Sequence, residues 1–549
     1  MICLNIFKDT DCGIVEIIFI TFHNVIKLFV VDGDFDFVID NLATDSYLIT
    51  KGYIIISSIL FVVAPVLTFG FVLSFFKNIS SYLGYNSQFF KNAYIFSELN
   101  EKSLALAEDI SDNIAKNILV FCNVVEDENF ANSGLIERAK ALGSICFKKD
   151  IVTTKFGFHS KRKQLNFFAI GNNQSENIDV ALKIIEKYKY TANTNLYVFS
   201  TAQIAEILIA TAFNKDLAQD KTPALKVRRV NEVRSLIDRI LYEDGYEKIF
   251  ASAFRFYSGA KKIHALIIGM GMHGIEMTKA LSWFCQMTDY YPEIDCFDSQ
   301  DNIDSKFKSL CPELMSEQIN GKYDIEGESK NKITIHSSID VTTKEFEDLI
   351  VALTPPSYIF ISLGDDELNI HTAIKLREIF LRKGYSPQIQ AIVSSTEKKT
   401  ALKDITNFKN QKYDIDFIGD IKTLYSEECI IKSNIERVAL KRHLKWGQED
   451  DFWKFDYNYR SSVASAIHQK MKKLCEIPGI DKSPKERTEE ELWNLRILEH
   501  CRWNAFMRSE GYVYSGSIDK SSRNDLAKTH HCLVPFKELP LDEQIKDDD

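Results

Sequence analysis

"IHALIIGMGMHG", residues 263–274, is the stretch that decides how this chain is read. An apolar run ends in three glycines, Gly269, Gly271 and Gly274, spaced G-x-G-x-x-G, and "IEMTKALSWFCQM" follows with helical character. Strand, glycine turn and helix in that order make a phosphate cradle. The first glycine permits the tight turn, the second lets the backbone approach a pyrophosphate, the third lets helix and strand pack closely, and the helix N-terminal amides face the anion. Farther on, "EIDCFD" sets Asp298 at the end of the next strand, 24 residues beyond Gly274, where a carboxylate accepts from ribose hydroxyls. These four residues are the expected cofactor site, for NAD or another adenine nucleotide. The competing possibility is that the glycines serve only helix–strand packing.

Working outward, "KITIHSS", "YIFISLGDD", "QIQAIVSS" and "YDIDFIG" read as the later strands of one α/β domain over 225–425. A similar rhythm precedes it over 90–215, in "AYIFSEL", "NILVFCNVV", "GSICFKK", "QLNFFAIG" and "NLYVFST". Short apolar runs alternating with helices predict two doubly wound parallel sheets. The first turn of the earlier domain reads "SELNEKS" (97–103). Without glycines its backbone cannot approach a pyrophosphate, so that domain is expected to be Rossmann-like but without the usual phosphate grip.

With 549 residues, 45% of them hydrophobic, the chain is long enough for several domains, each with its own core. Sixty-seven basic against 77 acidic residues give a net charge of −10, with no basic block, so a nucleic-acid polymer is not an expected partner. Eleven cysteines are scattered singly with no C-x-x-C pair, the usage of reduced thiols in a cytosolic body rather than of a structural zinc site.

The N-terminal 80 residues differ. Residues 53–76, "YIIISSILFVVAPVLTFGFVLSFF", carry no ionisable acid or base, and as a helix would run about 36 Å, longer than a bilayer core. A membrane span is predicted there. Upstream, 13–31 has spanning length but holds Glu16, His23 and Lys27, 7 and 4 residues apart and within about 40° on a helix. A polar stripe on a spanning helix faces a bundle interior or a watery path, so these three are candidate pore-lining residues; a helix lying on the membrane surface is the alternative. Five aspartates between the two helices against Lys77 and Lys91 after the second place the C-terminal bulk on the cytoplasmic side of an inner membrane.

Membrane helices followed by two such α/β domains resemble the TrkA-N, or RCK, regulators of potassium channels and transporters. The segment "FISLGDDELNIHTAIKLRE" (360–378) is similar to their D-D-x-x-N strand-to-helix segment, matched by Asp365, Asp366 and Asn369. The resemblance implies nucleotide binding that gates rather than chemistry, and its first half departs from the pattern at the glycine turn.

After a helical connector over 426–451, residues 452–549 form a last module. Its "LEHCRWNAFMRSEGYVYSGSIDKSSRNDLAKTHHCLVPFKELP" (498–540) resembles the RyR domain, a small mainly helical repeat first found in ryanodine receptors. His500 and Trp503, "GYVY" at 511–514 and the "LVPFKELP" tail carry that likeness. Arg496, His500, Trp503 and Met507 share one helix face, which serves either as core or as an aromatic and cationic ligand pocket with His500, Arg502, Trp503, Arg508, Tyr512 and Lys528 as its residues. No metal is expected at His530 and His531, because adjacent histidines lack a helical i, i+4 partner and nearby acids.

The order of these parts points to a membrane-anchored sensor. A small nucleotide would bias a homo-oligomeric bundle, a dimer or tetramer in the lipid bilayer, that opens a pore or acts as an effector, one version being antiviral second-messenger signalling of the CBASS or type III CRISPR kind. A membrane-tethered NAD(P)-dependent enzyme and an adaptor using the RyR-like module are the alternatives, although no dehydrogenase triad is recognisable.

Overall fold

In a computed structural model, the chain is described over residues 81–113, 116–124, 133–156, 164–214, 223–255, 259–454 and 456–547, with isolated positions between 19 and 67. It divides into two compact units, residues 1–89 with 145–147 and 156–158, and the remainder.

In the smaller unit, the described positions of 53–76 are Ile55, Ile56, Ile59, Val63, Val66 and Leu67, all helical and all with exposed apolar side chains. At 100° per residue they occupy one arc of about 120°. The two expected spans otherwise lie outside the described residues, as do Glu16, His23 and Lys27, and among the described residues no helix is long and apolar enough to cross a membrane. Nearer its end, Tyr82 meets Phe147 edge-on at 4.9 Å and Tyr85 meets Phe156 at 5.3 Å.

The larger unit holds two large sheets, parallel except for the short antiparallel strand Phe254–Arg255 on the second. In the first, β1 (Asn92–Phe96), β2 (Asn117–Phe121), β3 (Leu165–Ala169), β4 (Thr194–Phe199) and β5 (Lys226–Val230) lie in the order β2-β1-β3-β4-β5. Every residue of β2 and β3 is buried, as expected of strands covered on both faces by crossover helices. Phe96 stacks on Phe121 at 5.1 Å and on Phe168 at 4.9 Å, and Phe168 stacks on Tyr197 at 4.8 Å. That aromatic row crosses four neighbouring strands and fixes their register. Helices α1 (Glu101–Ile110), α2 (Gln174–Tyr188), α3 (Ile204–Asn214) and α4 (Glu232–Glu243) connect and follow the strands.

The second sheet contains β6 (Lys261–Ile268), β7 (Tyr290–Phe297), β8 (Lys332–His336), β9 (Tyr358–Ile361), β10 (Gln388–Ile392) and β11 (Asp416–Ile418), in the order β8-β7-β6-β9-β10-β11. Numbered along the chain this is 3-2-1-4-5-6, the doubly wound arrangement in which the winding reverses beside the first strand and leaves a crevice at the carboxyl ends. Alternate residues of β6 enter different cores. Ile263, Ala265 and Ile267 join a layer with Leu281 and Phe284 of α5 (Met272–Phe284), whereas Leu266 and Ile268 join Leu376 and Phe380 of α6 (Asp366–Arg382). Each of these isoleucine, leucine and phenylalanine side chains, fully buried, contributes about 1.5–3 kcal/mol.

The C-terminal helices join the main core, and beyond it Ile497 and Trp503 of the last long helix cover a small cluster of Cys532, Val534, Phe536 and Leu539. After α7 (Asn434–His443), helices α8 (Asp456–Leu474) and α9 (Glu489–Ser509) insert Ile467, Met471, Phe506 and Met507 into the same layer as α5. Thr488 begins α9 with a capping box closed by Glu491, and three glutamates in its first turn complement the helix dipole. A short parallel pair, β12 (Val513–Tyr514) and β13 (Thr529–His530), completes the described chain near its end.

Candidate functional site

The three glycines of the turn after β6 have different reasons to be glycine. Gly269 has φ +92°, and a Cβ there would lie 2.5 Å from the Ser362 carbonyl oxygen of the neighbouring strand end. A Cβ on Gly274 would fall 1.8 Å from the Gly269 carbonyl oxygen. Both positions are therefore demanded by the protein's own packing. Gly271 is not: its φ of −70° and ψ of −163° suit any residue, and a Cβ there meets nothing within 4 Å. It is also the N-cap of α5 and supplies no side-chain cap, so the first amides of that helix face the crevice without a capping side chain.

The crevice is a cleft of about 540 Å³ between the ends of β6 and β9, lined among others by Gly269, Gly271, His273, Asp298, Asp340 and Asp366. Asp298 sits where the sequence places it, just after β7, but its carboxylate also has a structural task. One oxygen accepts the Met270 N–H at 2.6 Å and the other the Gln300 N–H at 2.7 Å, so it pins the glycine turn while facing the cleft. Burial pushes the His273 imidazole below its ordinary range, leaving it neutral at pH 7. Three carboxylates and no lysine or arginine line the cleft. Any phosphate held there rests on backbone amides and the helix dipole.

The far wall is latched by the D-D-x-x-N segment. Asp365 caps α6 by accepting the Leu368 N–H, and Asp366 accepts the N–H groups of Ser394 and Ser395 at 2.9 and 3.0 Å. Asn369, buried, accepts from Leu363 N–H and donates to the Ile392 carbonyl, joining the ends of β9 and β10.

The first sheet repeats this device with residues the sequence reading passes over. Asn173 caps α2, Gln174 accepts from Thr201, and Asn177 accepts the Gly171 N–H while donating to the Phe199 carbonyl. Glu98, in the glycine-free turn, accepts the Asn172 N–H at 3.3 Å, and its Oε2 lies 2.6 Å from where a Cβ on Gly171 would stand. A side chain of that turn thus ties it to the loop after β3, while Asn100 caps the first amides of α1.

The residues expected in the C-terminal module are mostly engaged with protein partners. His500 bonds the Val534 carbonyl at 2.8 Å, and Arg502, buried, pairs with Glu499 on its own helix at 2.7 Å. Arg508 is buried between Glu313 and Glu328, both of which come from the loop before β8. Lys528 donates to the Glu510 carbonyl at 2.8 Å, Tyr512 is buried beside Tyr457, and Trp503 is half-buried with its ring against His530 at 4.9 Å. The strand-spanning set of Asp295 with His264 and His336, at 2.8 and 3.0 Å, is likewise absent from the sequence reading.

A buried ionic hub joins the cleft helix to the rest. Glu276 and Lys279 on α5 face Arg234 of α4 and Glu510 just past α9, at 2.8 Å for Arg234–Glu276 and 3.8 Å for Lys279–Glu510. Arg460 of α8 pairs with Glu510 and with Asp456, which also takes Arg229 of β5 at 2.6 Å. Burial alone would raise the Glu510 carboxyl, but Arg460, Lys279 and Arg234 hold it well below the usual range. Asp238, on the same helix as Arg234, is pushed up to about 7 by burial against only partial help from Arg234.

Compared with protein-family models and with curated proteins, the chain matches none.

Proposed function

We propose that this chain is a membrane-anchored nucleotide sensor, in which the cleft after β6 holds a small adenine nucleotide and α5 passes the bound state to the helices around it. The observation that carries the reading is Gly271. The protein's own packing leaves space for a side chain there, so the glycine is explained by a ligand backbone approaching the α5 N-terminus. With Asp298, Asp340 and Asp366 around it and no basic side chain in the lining, the cleft favours a dinucleotide of low net charge, NAD in particular, over triphosphates. A gating role is preferred to hydride chemistry because the cleft helix is tied by Glu276 and Lys279 to Arg234 and Glu510, through which ligand occupancy can bias a neighbouring assembly. The exposed apolar arc of Ile55, Ile59, Val63 and Val66 supports an N-terminal helix that seeks lipid or other copies of itself. On this reading the RyR-like module braces the sensor or adds a second ligand surface, and the oligomer lies in the cell's inner membrane with its bulk cytoplasmic.

Calorimetric titration of the full chain in detergent with NAD, NADH, ADP, ATP and cyclic oligonucleotides tests the ligand. Ion flux in liposomes with and without the tightest binder tests the gate. NAD bound and flux altered is the expected result; no binding by any of them removes the reading.

A further inference from the structure

Folding supplies an acid that the sequence around His530 and His531 does not show. The chain leaves β13 through His531 and Cys532, and the short helix Leu541–Gln544 brings Glu543 back against them. Glu543 places one carboxylate oxygen 3.9 Å from His531 Nε2 and the other 3.7 Å from Cys532 Sγ. Donor atoms of His530, His531 and Cys532 all lie within 4.8 Å of one another.

A second observation is independent of that clustering. His531 is 3% exposed, and neither of its ring nitrogens has a hydrogen-bond partner. A buried polar group left unmet forfeits its hydration without compensation, and folded proteins seldom leave one without a reason. The ring is held in place by stacking on His530, 4.7 Å away and within 13° of parallel, with Nε2 on the Glu543 side.

We infer that His531, Cys532 and Glu543 form a binding site for a divalent transition metal of the zinc class. Imidazole, thiolate and carboxylate are the donor set that such ions take, and a thiolate disfavours calcium and magnesium. The spacing fits. With bonds of about 2.3 Å to sulfur and about 2.1 Å to oxygen at a tetrahedral angle, sulfur and oxygen stand about 3.6 Å apart, against 3.7 Å here. The 3.9 Å from His531 Nε2 is to the other oxygen, Oε1, which Lys546 holds; Oε2 is therefore the ligand oxygen, and the imidazole has to close on it to the about 3.4 Å that nitrogen and oxygen keep around such an ion. His530 accepts the Cys532 N–H through Nδ1 at 3.1 Å, which fixes the loop that carries the thiol. It becomes a fourth donor only by giving up that bond, so three protein ligands and a water complete the shell. Binding removes the Cys532 thiol proton to solvent as the metal–sulfur bond forms. The ion would staple the C-terminal segment to the β12–β13 pair.

The test uses the full chain, stripped with chelator and titrated with Co²⁺ followed by absorption. One equivalent per chain is expected, with a thiolate-to-cobalt charge-transfer band and the intense visible bands of four-coordinate cobalt, displaced by Zn²⁺. Cys532→Ser should abolish the charge-transfer band, and Glu543→Gln, which keeps the shape of the side chain, should weaken Co²⁺ at least about tenfold, circular dichroism confirming the fold of both. A folded wild type with no cobalt spectrum, a charge-transfer band that survives Cys532→Ser, or wild-type affinity in Glu543→Gln would overturn the site.

Discussion

Replacing Gly271 by valine separates the ligand's demands from the protein's. The position has φ −70° and ψ −163°, which a β-branched residue adopts readily, and a Cβ there meets nothing within 4 Å. Restricting the unfolded chain stabilises by about 0.4–1 kcal/mol, while losing a glycine N-cap for a poor one costs at most about 1 kcal/mol. The two nearly cancel, so the melting temperature should stay within about 4 °C of wild type. Binding is another matter. A branched side chain over the α5 N-terminus keeps a pyrophosphate from the first amides, and charge-assisted hydrogen bonds contribute about 1.5–3 kcal/mol each. Losing two of them lowers affinity roughly 10²–10⁴-fold. Gly274→Ala supplies the contrast: its Cβ would stand 1.8 Å from the Gly269 carbonyl oxygen, so stability itself should fall by about 1–3 kcal/mol or more. Differential scanning calorimetry and isothermal titration on both variants read the two effects separately. Unchanged nucleotide affinity in Gly271→Val would refute the cradle and leave the glycines as packing residues.

Asp238 makes a pH prediction. Its folded-state value of about 7 exceeds the ordinary 3.8, so the folded chain binds the extra proton first and this group adds stability as pH falls from about 8 to 5, by about 2–3 kcal/mol. Denaturant midpoints at pH 8 and pH 5 should differ less in Asp238→Asn than in wild type; an equal difference in both counts against it. Arg508→Met leaves Glu328, 3% exposed, without its cation, which should cost about 3–5 kcal/mol, and Glu328→Gln in the same chain should restore part of that in thermal unfolding. If the first helix lines a path, Lys27→Met should change liposome ion flux while nucleotide affinity stays the same; identical, ligand-independent flux in both proteins, or none in either, removes the pore.

Much of the second sheet was legible because its signals are local. "IHALIIG" followed by glycines and a helix needs no distant partner to be read, and Asp298 lies just after β7 as its spacing predicts. The cleft wall was harder. Asp365, Asp366 and Asn369 stand out as a motif, but that they latch loops 25 or so residues away is a property of sheet order. Their counterparts Asn173 and Gln174 use amides where Asp365 and Asp366 use carboxylates, and only Asn177 matches Asn369, which hides the repeat from a residue-by-residue comparison. The C-terminal module was least legible. Helical spacing alone could set His500 and Trp503 on a common face; it could not show that Arg508 is buried against Glu328, or that Glu543 closes on Cys532. Those partners meet only because α9 completes the layer over α5.

That completion bears on the order in which the protein is made. Glu328 and Arg508 are 180 residues apart, and at bacterial and eukaryotic synthesis rates of about 5–20 residues per second the arginine follows the glutamate by roughly 10–35 s. In the later part of that interval, once β11 has been made, the glycine-turn domain has its strands but neither the arginine that faces Glu328 nor the apolar cover of Phe506 and Met507. The apolar face of α5 is therefore covered by side chains made long after it, Phe506 following Phe284 by 222 residues, and the domain keeps that face open until α9 has been synthesised.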